Sequence, residues 1–330
     1  MSTELIIALI KASLVLGVLL TNTLLLIWFE RKLVAGMQSR VGPDRAGPFG
    51  ILQTVADAIK LLLKEQIMPL KADRAMYLLA PILALVPSFL IFMIIPLGPD
   101  LNIEVGGKNY AIDFVGADLN VGVLYFLALS SIAVYSVVLA GWSSGSKYPL
   151  LGGVRASAQM ISYEAAMGLS LVPVILYSGS LSLVDIVSSQ SGNLSTSIPI
   201  LSSIVSFIPK WNIFPQFIAF GIFFIAAVAE VNRAPFDLVE AEQELVGGFH
   251  TEYSGFRFAM FFLAEYINMF NMCAITATFF LGGWLGPTFE NFLPPVLSAI
   301  MPIIWLGVKT FLLLFIFVWI RATLPRLRYD

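Results

Sequence analysis

Long apolar runs separated by short polar segments dominate the chain. Most of these runs are long enough to cross a hydrocarbon core of about 30 Å as an α-helix. The pattern predicts seven membrane spans, near residues 5–29, 76–97, 121–142, 156–177, 214–229, 258–281 and 299–320. We therefore predict an all-α integral membrane protein, a polytopic helix bundle of about seven transmembrane helices with interfacial amphipathic helices. Residues 1–330 are expected to form a single membrane domain.

Composition supports this prediction. Hydrophobic residues make up 58% of the 330 residues and charged residues only 12%, and the mean hydropathy is +0.88. A soluble domain has roughly a quarter of its residues charged. The composition therefore excludes a soluble globular domain. The formal net charge of -2 indicates nothing about partners, and we predict no nucleic-acid partner.

The distribution of Lys and Arg predicts the orientation in the membrane. If the N-terminus lies outside, fifteen of the nineteen Lys and Arg residues fall in cytoplasmic segments, where positive charge accumulates. The other four are Lys11, Lys108, Lys210 and Lys309. We therefore predict an N-terminus outside and a C-terminus inside. Because Glu4 rather than a basic segment precedes the first span, we predict a retained anchor and not a cleaved signal peptide.

Three segments between the spans have patterns of their own. Apolar residues recur at helical spacing over residues 51–64, with Asp57 and Lys60 between them, which predicts an amphipathic helix at the cytoplasmic interface. Residues 141–155 are rich in glycine and predict a cytoplasmic loop. The Ser-rich residues 178–209 predict an external loop that carries a short surface helix.

The segment that follows the fifth span is the most informative part of the chain. Residues 229–244 carry five carboxylates and one arginine. Acidic groups near the bilayer centre cost roughly 2.5–3.5 kcal/mol each, so these side chains must face protein or water. Asp237, Glu240 and Glu244 share one helical face by their spacing, whereas Glu242 points elsewhere. Arg233 is within helical reach of both Glu230 and Asp237.

Two more carboxylates lie inside predicted spans. Glu164 falls about two turns into the fourth span and Glu265 about two turns into the sixth, both near the predicted cytoplasmic side. Intramembrane acids are costly to retain, so a functional role is favoured for these two.

Two interpretations of the whole acidic set are possible. Crowded carboxylates in a low dielectric can titrate near neutral pH and share protons, which favours a proton path or a charge-sensing site. Alternatively, residues 240–244 form an ordinary solvated loop, and Glu230 with Arg233 is an ion pair that sets topology. A positive stop anchor explains Arg31 and Lys32 after the first span but not Glu30.

Cysteine and histidine are too scarce for a redox centre. Cys273 is the one cysteine and His250 the one histidine, so neither an iron–sulfur cluster nor a bis-histidine haem can be ligated. We predict no metal site and no cofactor bound by this chain alone. Any redox centre therefore belongs to a partner, and Cys273 is expected to be a small core residue.

A set of short motifs runs in order from residue 30 to the C-terminus. They are Glu30-Arg31-Lys32, Arg40-Val41-Gly42-Pro43, Gly47-Pro48-Phe49-Gly50, Ala56-Asp57-Ala58-Ile59-Lys60, Gly141-Trp142-Ser143-Ser144, Ile161-Ser162-Tyr163-Glu164, Asn232-Arg233-Ala234-Pro235-Phe236-Asp237, Glu240-Ala241-Glu242, Thr251-Glu252-Tyr253, Ala264-Glu265-Tyr266 and Trp319-Ile320-Arg321. By these motifs the sequence resembles the H subunit of bacterial respiratory NADH:quinone oxidoreductase, complex I, whose mitochondrial counterpart is NADH dehydrogenase subunit 1. That family commonly continues beyond the position of Asp330 into a further membrane helix.

The resemblance implies a function that composition does not supply. In this family the protein forms the membrane side of a quinone chamber and helps to couple quinone reduction to proton translocation. Quinone is then the substrate, while FMN and iron–sulfur clusters belong to partner subunits of the peripheral arm. Small membrane subunits, antiporter-like subunits and membrane lipids are the other implied partners. The implied location is a bacterial cytoplasmic membrane, and the choice between ubiquinone and menaquinone stays open.

The resemblance also implies roles for individual residues. The quinone access path would include Glu30, Arg31, Arg40, Asp57, Phe224 and Glu252. The charged link from quinone to the pumps, counted here as catalytic, would include Glu164, Glu230, Arg233, Asp237, Glu240, Glu242, Glu244 and Glu265. For Phe224 and the neighbouring phenylalanines, lipid-facing or packing roles are the alternative.

Two other functions compete with this one. The corresponding membrane subunit of an energy-converting hydrogenase, or of a ferredoxin- or F420-dependent dehydrogenase, shares the fold but need not use NADH. A stand-alone ion transporter could use the same acids, although the sequence shows none of the internal repeats that transporters often have.

Overall fold

The computed structural model describes residues 3–99, 101–105, 108–112, 114–192, 209–237, 246–286 and 295–327. Within these ranges the chain is mostly helical. The α-helices are α1 (Thr3–Met37), α2 (Gln53–Leu63), α3 (Arg74–Met93), α4 (Gly122–Ser143), α5 (Lys147–Ser178), α6 (Leu183–Ser189), α7 (Phe217–Glu230), α8 (Gly255–Phe280) and α9 (Pro295–Thr323). Short 3-10 helices cover Pro48–Gly50 and Gly248–His250.

Five of these helices are long and apolar enough to cross a membrane. They are α3, α4, α5, α8 and residues Ile300–Thr323 of α9. With a rise of 1.5 Å per residue, even the 20-residue α3 spans about 30 Å. Helix α7 has 14 residues and is apolar but shorter than a usual span. The protein is therefore a helical membrane protein. The count of seven spans stays a prediction, because it also requires α1 and α7 to cross the membrane.

A small β-hairpin is an exception to the predicted helical architecture. Strands β1 (Leu101–Val105) and β2 (Lys108–Ile112) pair antiparallel between α3 and α4, with Leu101 opposite Ile112 and Val105 opposite Lys108. The sequence signal was present, because Gly106-Gly107 separates two short runs with strand-forming residues. Long apolar runs on either side obscure this short signal.

The glycine-rich residues 141–155 are helical at both ends, which corrects their interpretation as a loop. Helix α4 continues to Ser143 and α5 begins at Lys147. A Cβ on Gly141 would lie 2.5 Å from the carbonyl oxygen of Pro149 and 3.2 Å from the Cα of Gly153. These glycines therefore let α4 and α5 approach each other closely.

The helix predicted on the surface of the external loop is present but buried. Helix α6 is present, but Leu183, Ile186 and Val187 are all buried and the helix packs against α5 and α8. It is therefore part of the core and not a surface element. Residues 193–208 of this predicted loop lie outside the described residues.

Helix α8 is central in the bundle. It packs against α1, α2, α3, α6, α7 and α9, and its C-terminal half is almost entirely buried, including Cys273 and Phe279. The helix predicted over residues 51–64 is present as α2, which packs against α1 and α8 and exposes apolar residues such as Ile59 and Leu62. Side chains on α8 therefore meet those of most other helices, and the candidate site forms around it.

Candidate functional site

A cluster of two carboxylates and two arginines, Glu30, Arg233, Glu265 and Arg321, joins four segments of the bundle; we call it the ion-pair cluster. Arg233 Nη1 donates to Glu30 Oε1 at 2.9 Å, and Arg233 Nε lies 2.6 Å from Glu265 Oε1. Arg321 Nη1 donates to the same oxygen of Glu30. Thus the ends of α1 and α9 and the turn after α7 are tied to α8.

Burial makes the cluster energetically demanding. The side chains of Arg233 and Glu30 are only 7% and 5% exposed, whereas that of Glu265 is 26% exposed. The guanidinium of Arg233 also lies 4.4 Å from the ring centroid of Tyr266. A buried ion is tolerated when opposite charges and hydrogen bonds compensate for lost water. The cluster supplies the opposite charges, whereas Glu30 Oε2 is buried with no hydrogen-bond partner among the described residues.

Sequence spacing alone did not reveal the contacts of Arg233. Helical spacing indicated Glu230 and Asp237 as its partners, whereas the structure adds Glu30 and Glu265, both distant along the chain. The turn after α7 explains why the spacing argument was incomplete, since residues 231–236 are not helical. Local helical geometry therefore does not control where this guanidinium points.

Two consecutive serines on α4 hold two of the predicted acids. Ser130 Oγ donates to Glu230 Oε1 at 2.7 Å, and Ser131 Oγ donates to Glu164 Oε1. Both carboxylates are thus directed at protein. Glu164 lies 17 residues after Lys147, the first residue of α5, so it is near the middle of that helix and not two turns from its start. The serine pair was not identified from the sequence, although two hydroxyls inside an apolar span are a usable signal.

Glu230 and Glu265 line one cavity of about 80 Å³. The polar part of its wall also includes Ser136, Asn232, His250 and Asn268, and phenylalanines form much of the rest. A water molecule needs about 10–15 Å³ of such space, so the cavity has room for several waters. Glu230 Oε2 is buried and has no protein partner among the described residues. This oxygen therefore needs water or a proton of its own.

Asp237 pairs with a second arginine from the C-terminal part of the chain. Arg326 Nη2 lies 2.8 Å from Asp237 Oδ2, and the side chain of Asp237 is only 13% exposed. Glu240, Glu242 and Glu244 lie outside the described residues, so their predicted helical face stays a prediction.

The residues assigned to quinone access do not all come together. Arg31 Nη1 lies 2.5 Å from Asp57 Oδ2 and ties α1 to α2. Partial burial acts to raise the pKa of Asp57, but hydrogen bonds from Arg31 and Gln53 outweigh it, and the pKa lies below its usual value. Arg40 is exposed after α1, and the carbonyl oxygen of Glu252 accepts from Tyr77 at 2.8 Å.

The contacts of Phe224 favour its alternative interpretation as a packing residue. Its ring packs edge-on against Phe317 of α9 at a centroid distance of 5.2 Å and stacks on Phe220 at 6.0 Å. It does not line the cavity that holds Glu230 and Glu265. The structure therefore gives it contacts between α7 and α9.

Comparison with known proteins identifies the family. The profile of the family described as NADH dehydrogenase matches residues 10–330. The chain belongs to the NADH dehydrogenase family. It is 49% identical to the second H subunit of NADH-quinone oxidoreductase from Koribacter versatilis over 99% of this chain and 90% of that protein. Against the H subunit of Frankia alni the identity is 51% over 98% of this chain and 67% of the relative, and against that of Cupriavidus pinatubonensis it is 49% over 98% and 84%.

Membership of the NADH dehydrogenase family confirms the resemblance drawn from the motifs. Because its relatives at about 50% identity are H subunits of NADH-quinone oxidoreductases, the chain is a homologue of the membrane subunit of complex I. The five long apolar helices are consistent with that membrane location.

The sequence of this NADH dehydrogenase family member did not reveal the roles of several residues at the site. Arg326 was counted only as a positive cytoplasmic residue, and Arg321 only as such a residue and as part of a family motif, yet they contact Asp237 and Glu30. His250 was given no role after a haem was excluded, yet it lines the cavity, and burial lowers its pKa to about 4. In the described part of the chain, no group of three or more His, Cys, Asp and Glu residues is placed to hold a metal ion.

Proposed function

We propose that this chain is the membrane subunit of a proton-pumping NADH:quinone oxidoreductase. In this proposal it forms the quinone-binding chamber together with the peripheral arm and couples quinone reduction to proton translocation through buried carboxylates. The observation that carries the coupling role is the shared cavity of Glu230 and Glu265, in which one oxygen of Glu230 has no protein partner among the described residues. The names of the relatives support the membrane-subunit role.

In the first step of the proposed mechanism, quinone reduction alters the charge balance of the ion-pair cluster. Quinone reduction to quinol consumes two electrons and two protons, and negative charge forms on the quinone before the protons arrive. A developing anion near Arg233 competes with Glu30 and Glu265 for the guanidinium. A carboxylate that loses its counter-charge takes up a proton more readily. Quinone reduction therefore changes the proton occupancy of this cluster.

The cavity provides the next step. Glu265 contacts Arg233 and lines the same cavity as Glu230, so waters in that space would relay a proton between the two acids. Ser130 hydrogen-bonds Glu230, and the adjacent Ser131 hydrogen-bonds Glu164 on α5. Glu164 is thus the next acid along the path, toward the antiporter-like subunits that we propose as partners.

The amino-acid composition of the chain is consistent with redox cofactors being bound by other subunits. One cysteine cannot ligate an iron–sulfur cluster, so we assign FMN and the clusters to subunits of the peripheral arm. When bound in those subunits, the cofactors would supply the electrons, while this chain binds and orients quinone and moves protons. We also propose the predicted orientation, with the N-terminus outside and the C-terminus inside the bacterial cytoplasmic membrane.

The alternatives are separable by purification. The relatives near 50% identity are quinone enzymes, which favours this function over that of an energy-converting hydrogenase or of a ferredoxin- or F420-dependent dehydrogenase. A stand-alone transporter would purify without iron–sulfur partners, whereas the membrane subunit of an NADH:quinone oxidoreductase should purify with them.

Replacing Glu230 by glutamine tests the proposed coupling. Glutamine keeps the shape and removes titration, so the complex should assemble and its iron–sulfur clusters should still be reduced by the donor. Quinone reductase activity and proton pumping in liposomes should fall together, by at least about tenfold, because positioned proton-transfer groups contribute roughly 10²–10⁴-fold to rate. Full turnover with full pumping would remove Glu230 from the mechanism.

Asp185 offers the matched control for this experiment. Its carboxylate accepts from Ser180 at 2.7 Å on α6, and it does not line the cavity. Asp185→Asn should therefore leave both activities unchanged. An equal loss in the two variants would indicate a general effect of removing an acid.

A further inference from the structure

Lys309 is a buried cation held by backbone carbonyl groups. It lies on α9 and is 8% exposed. Its ammonium nitrogen donates to the carbonyl oxygens of Leu281 at 2.6 Å, Gly283 at 2.9 Å and Leu285. The same nitrogen lies 4.3 Å from the ring centroid of Trp211. Four groups from two other segments therefore surround this one nitrogen.

The chain turn after α8 makes these carbonyl groups available. Helix α8 ends at Phe280, and the last carbonyls of a helix lack intrahelical partners. Gly282 and Gly283 have φ values of 73° and 50°, which glycine adopts without strain. The N–H of Gly282 donates to Gln190 Oε1 at 3.0 Å, and that of Gly283 to the carbonyl oxygen of Ala277 at 2.9 Å. With its N–H groups used elsewhere, the turn presents its carbonyls to Lys309.

The site matches a primary ammonium ion in number and in charge. An ammonium group has three donors and no acceptor, and three carbonyl oxygens take all three protons. The C-terminal end of a helix carries partial negative charge, and the face of an indole ring attracts cations. Over the described ranges, no carboxylate lies within ion-pair distance of Lys309. Dipoles and a ring thus balance this charge.

We infer that residues 281–285 and Trp211 form a binding site for a primary ammonium ion, which Lys309 fills from within the same chain. By occupying it, Lys309 fastens α9 to the end of α8 and to the segment before α7. Glu265 lies 16 residues before Leu281 on the chain, roughly 24 Å along the helix axis. The site is therefore separate from the ion-pair cluster, and its role is independent of the proposed function.

Shortening Lys309 and supplying the missing ammonium from solution tests this inference. The experiment uses the membrane complex that contains the full chain, and it measures the half-life of intact complex at elevated temperature. Lys309→Ala should shorten that half-life by about tenfold, because buried carbonyls lose their donors. Propylammonium, which replaces the three missing carbons and the nitrogen, should restore most of it. Tetramethylammonium, which has no N–H donor, should not.

Lys210 provides the matched control. It lies 5.9 Å from the ring centroid of Tyr177, and no hydrogen bond from its ammonium group to a carbonyl is found in the described part of the chain. Lys210→Ala should leave the half-life unchanged and should not respond to propylammonium. Failure of propylammonium to rescue Lys309→Ala, or equal rescue by potassium or tetramethylammonium, would overturn the assignment.

Lys309→Arg tests the same site even if the alanine variant does not assemble. Arginine keeps the charge and its side chain is about one bond longer, but its donors lie in a planar fork and do not diverge from one nitrogen. We expect a shorter half-life than in the unmodified complex and no response to propylammonium, because the site stays filled. A half-life equal to that of the unmodified complex would show that charge alone suffices and would contradict an ammonium site.

Discussion

Arg233→Met should be the most damaging single change to the ion-pair cluster. Removing one partner of a buried ion pair costs about 3–5 kcal/mol, because the other charge is left uncompensated. The side chains of Arg233 and Glu30 are 7% and 5% exposed, so little water can replace the lost contact. However, Arg321 still reaches Glu30, and Glu265 is 26% exposed. We therefore expect the lower limit, about 3 kcal/mol.

Arg321→Met is the matched comparison, since Arg321 contacts the same carboxylate oxygen. Its side chain is 42% exposed, so water can take over part of the lost interaction and the expected cost is about 1 kcal/mol. In the double variant Glu30→Gln with Arg233→Met, no uncompensated Glu30 charge remains. The loss should therefore be about 2 kcal/mol smaller than the sum of the two single losses.

The assay is the half-life of the intact complex on native gels at a fixed elevated temperature, because such complexes unfold irreversibly and rates describe their stability. If the whole effect falls on the unfolding rate, Arg233→Met shortens the half-life about 100-fold and Arg321→Met about fivefold. Equal half-lives for these two variants would refute the argument from burial. Additive losses in the double variant would refute direct coupling of Arg233 with Glu30.

Two further predictions concern packing and quinone access. Gly141→Ala should destabilise the complex by about 1–3 kcal/mol, because the added Cβ would lie 2.5 Å from the carbonyl oxygen of Pro149. Gly221→Ala, where no atom lies within 4 Å, should be nearly neutral, and equal thermal half-lives would contradict the packing argument. Ala58→Phe on α2 should lower turnover with a long-tailed quinone more than with a short-tailed analogue, because the resemblance implies a quinone access path that includes the neighbouring Asp57 and would therefore open to the lipid beside this helix. Equal losses for both quinones would argue against an opening there.

The sequence by itself determined the class of protein and much of its helical content. A chain with 58% hydrophobic and only 12% charged residues has too few charged groups for a soluble surface, and the length of its apolar runs indicates helices that can cross a membrane. Helical spacing located α2 within two residues at its start. The cost of an ion in hydrocarbon indicated that the intramembrane acids contact protein or water, and Glu164 and Glu230 do contact serines. Motifs in order along the chain were enough to identify the family.

Short elements were harder to predict because their patterns are ambiguous. Glycines at 141, 152 and 153 read as loop residues, although they lie where α4, α5 and the Gly248–His250 turn approach one another closely. Glycine lowers helix propensity but also allows close backbone contact, and one sequence cannot distinguish these two uses. The hairpin of β1 and β2 was not predicted for a similar reason, because its strands are short and lie between long apolar runs.

Only the tertiary structure decided which charged residues meet. Arg233 contacts Glu30 across 203 residues of sequence, and Glu30 contacts Arg321 across 291. Lys309 likewise reaches a turn that begins 28 residues earlier. Periodicity shows which face of a helix is apolar, but not which helices are neighbours. That choice depends on side-chain packing between helices distant in sequence, and it converts scattered acids and bases into one site.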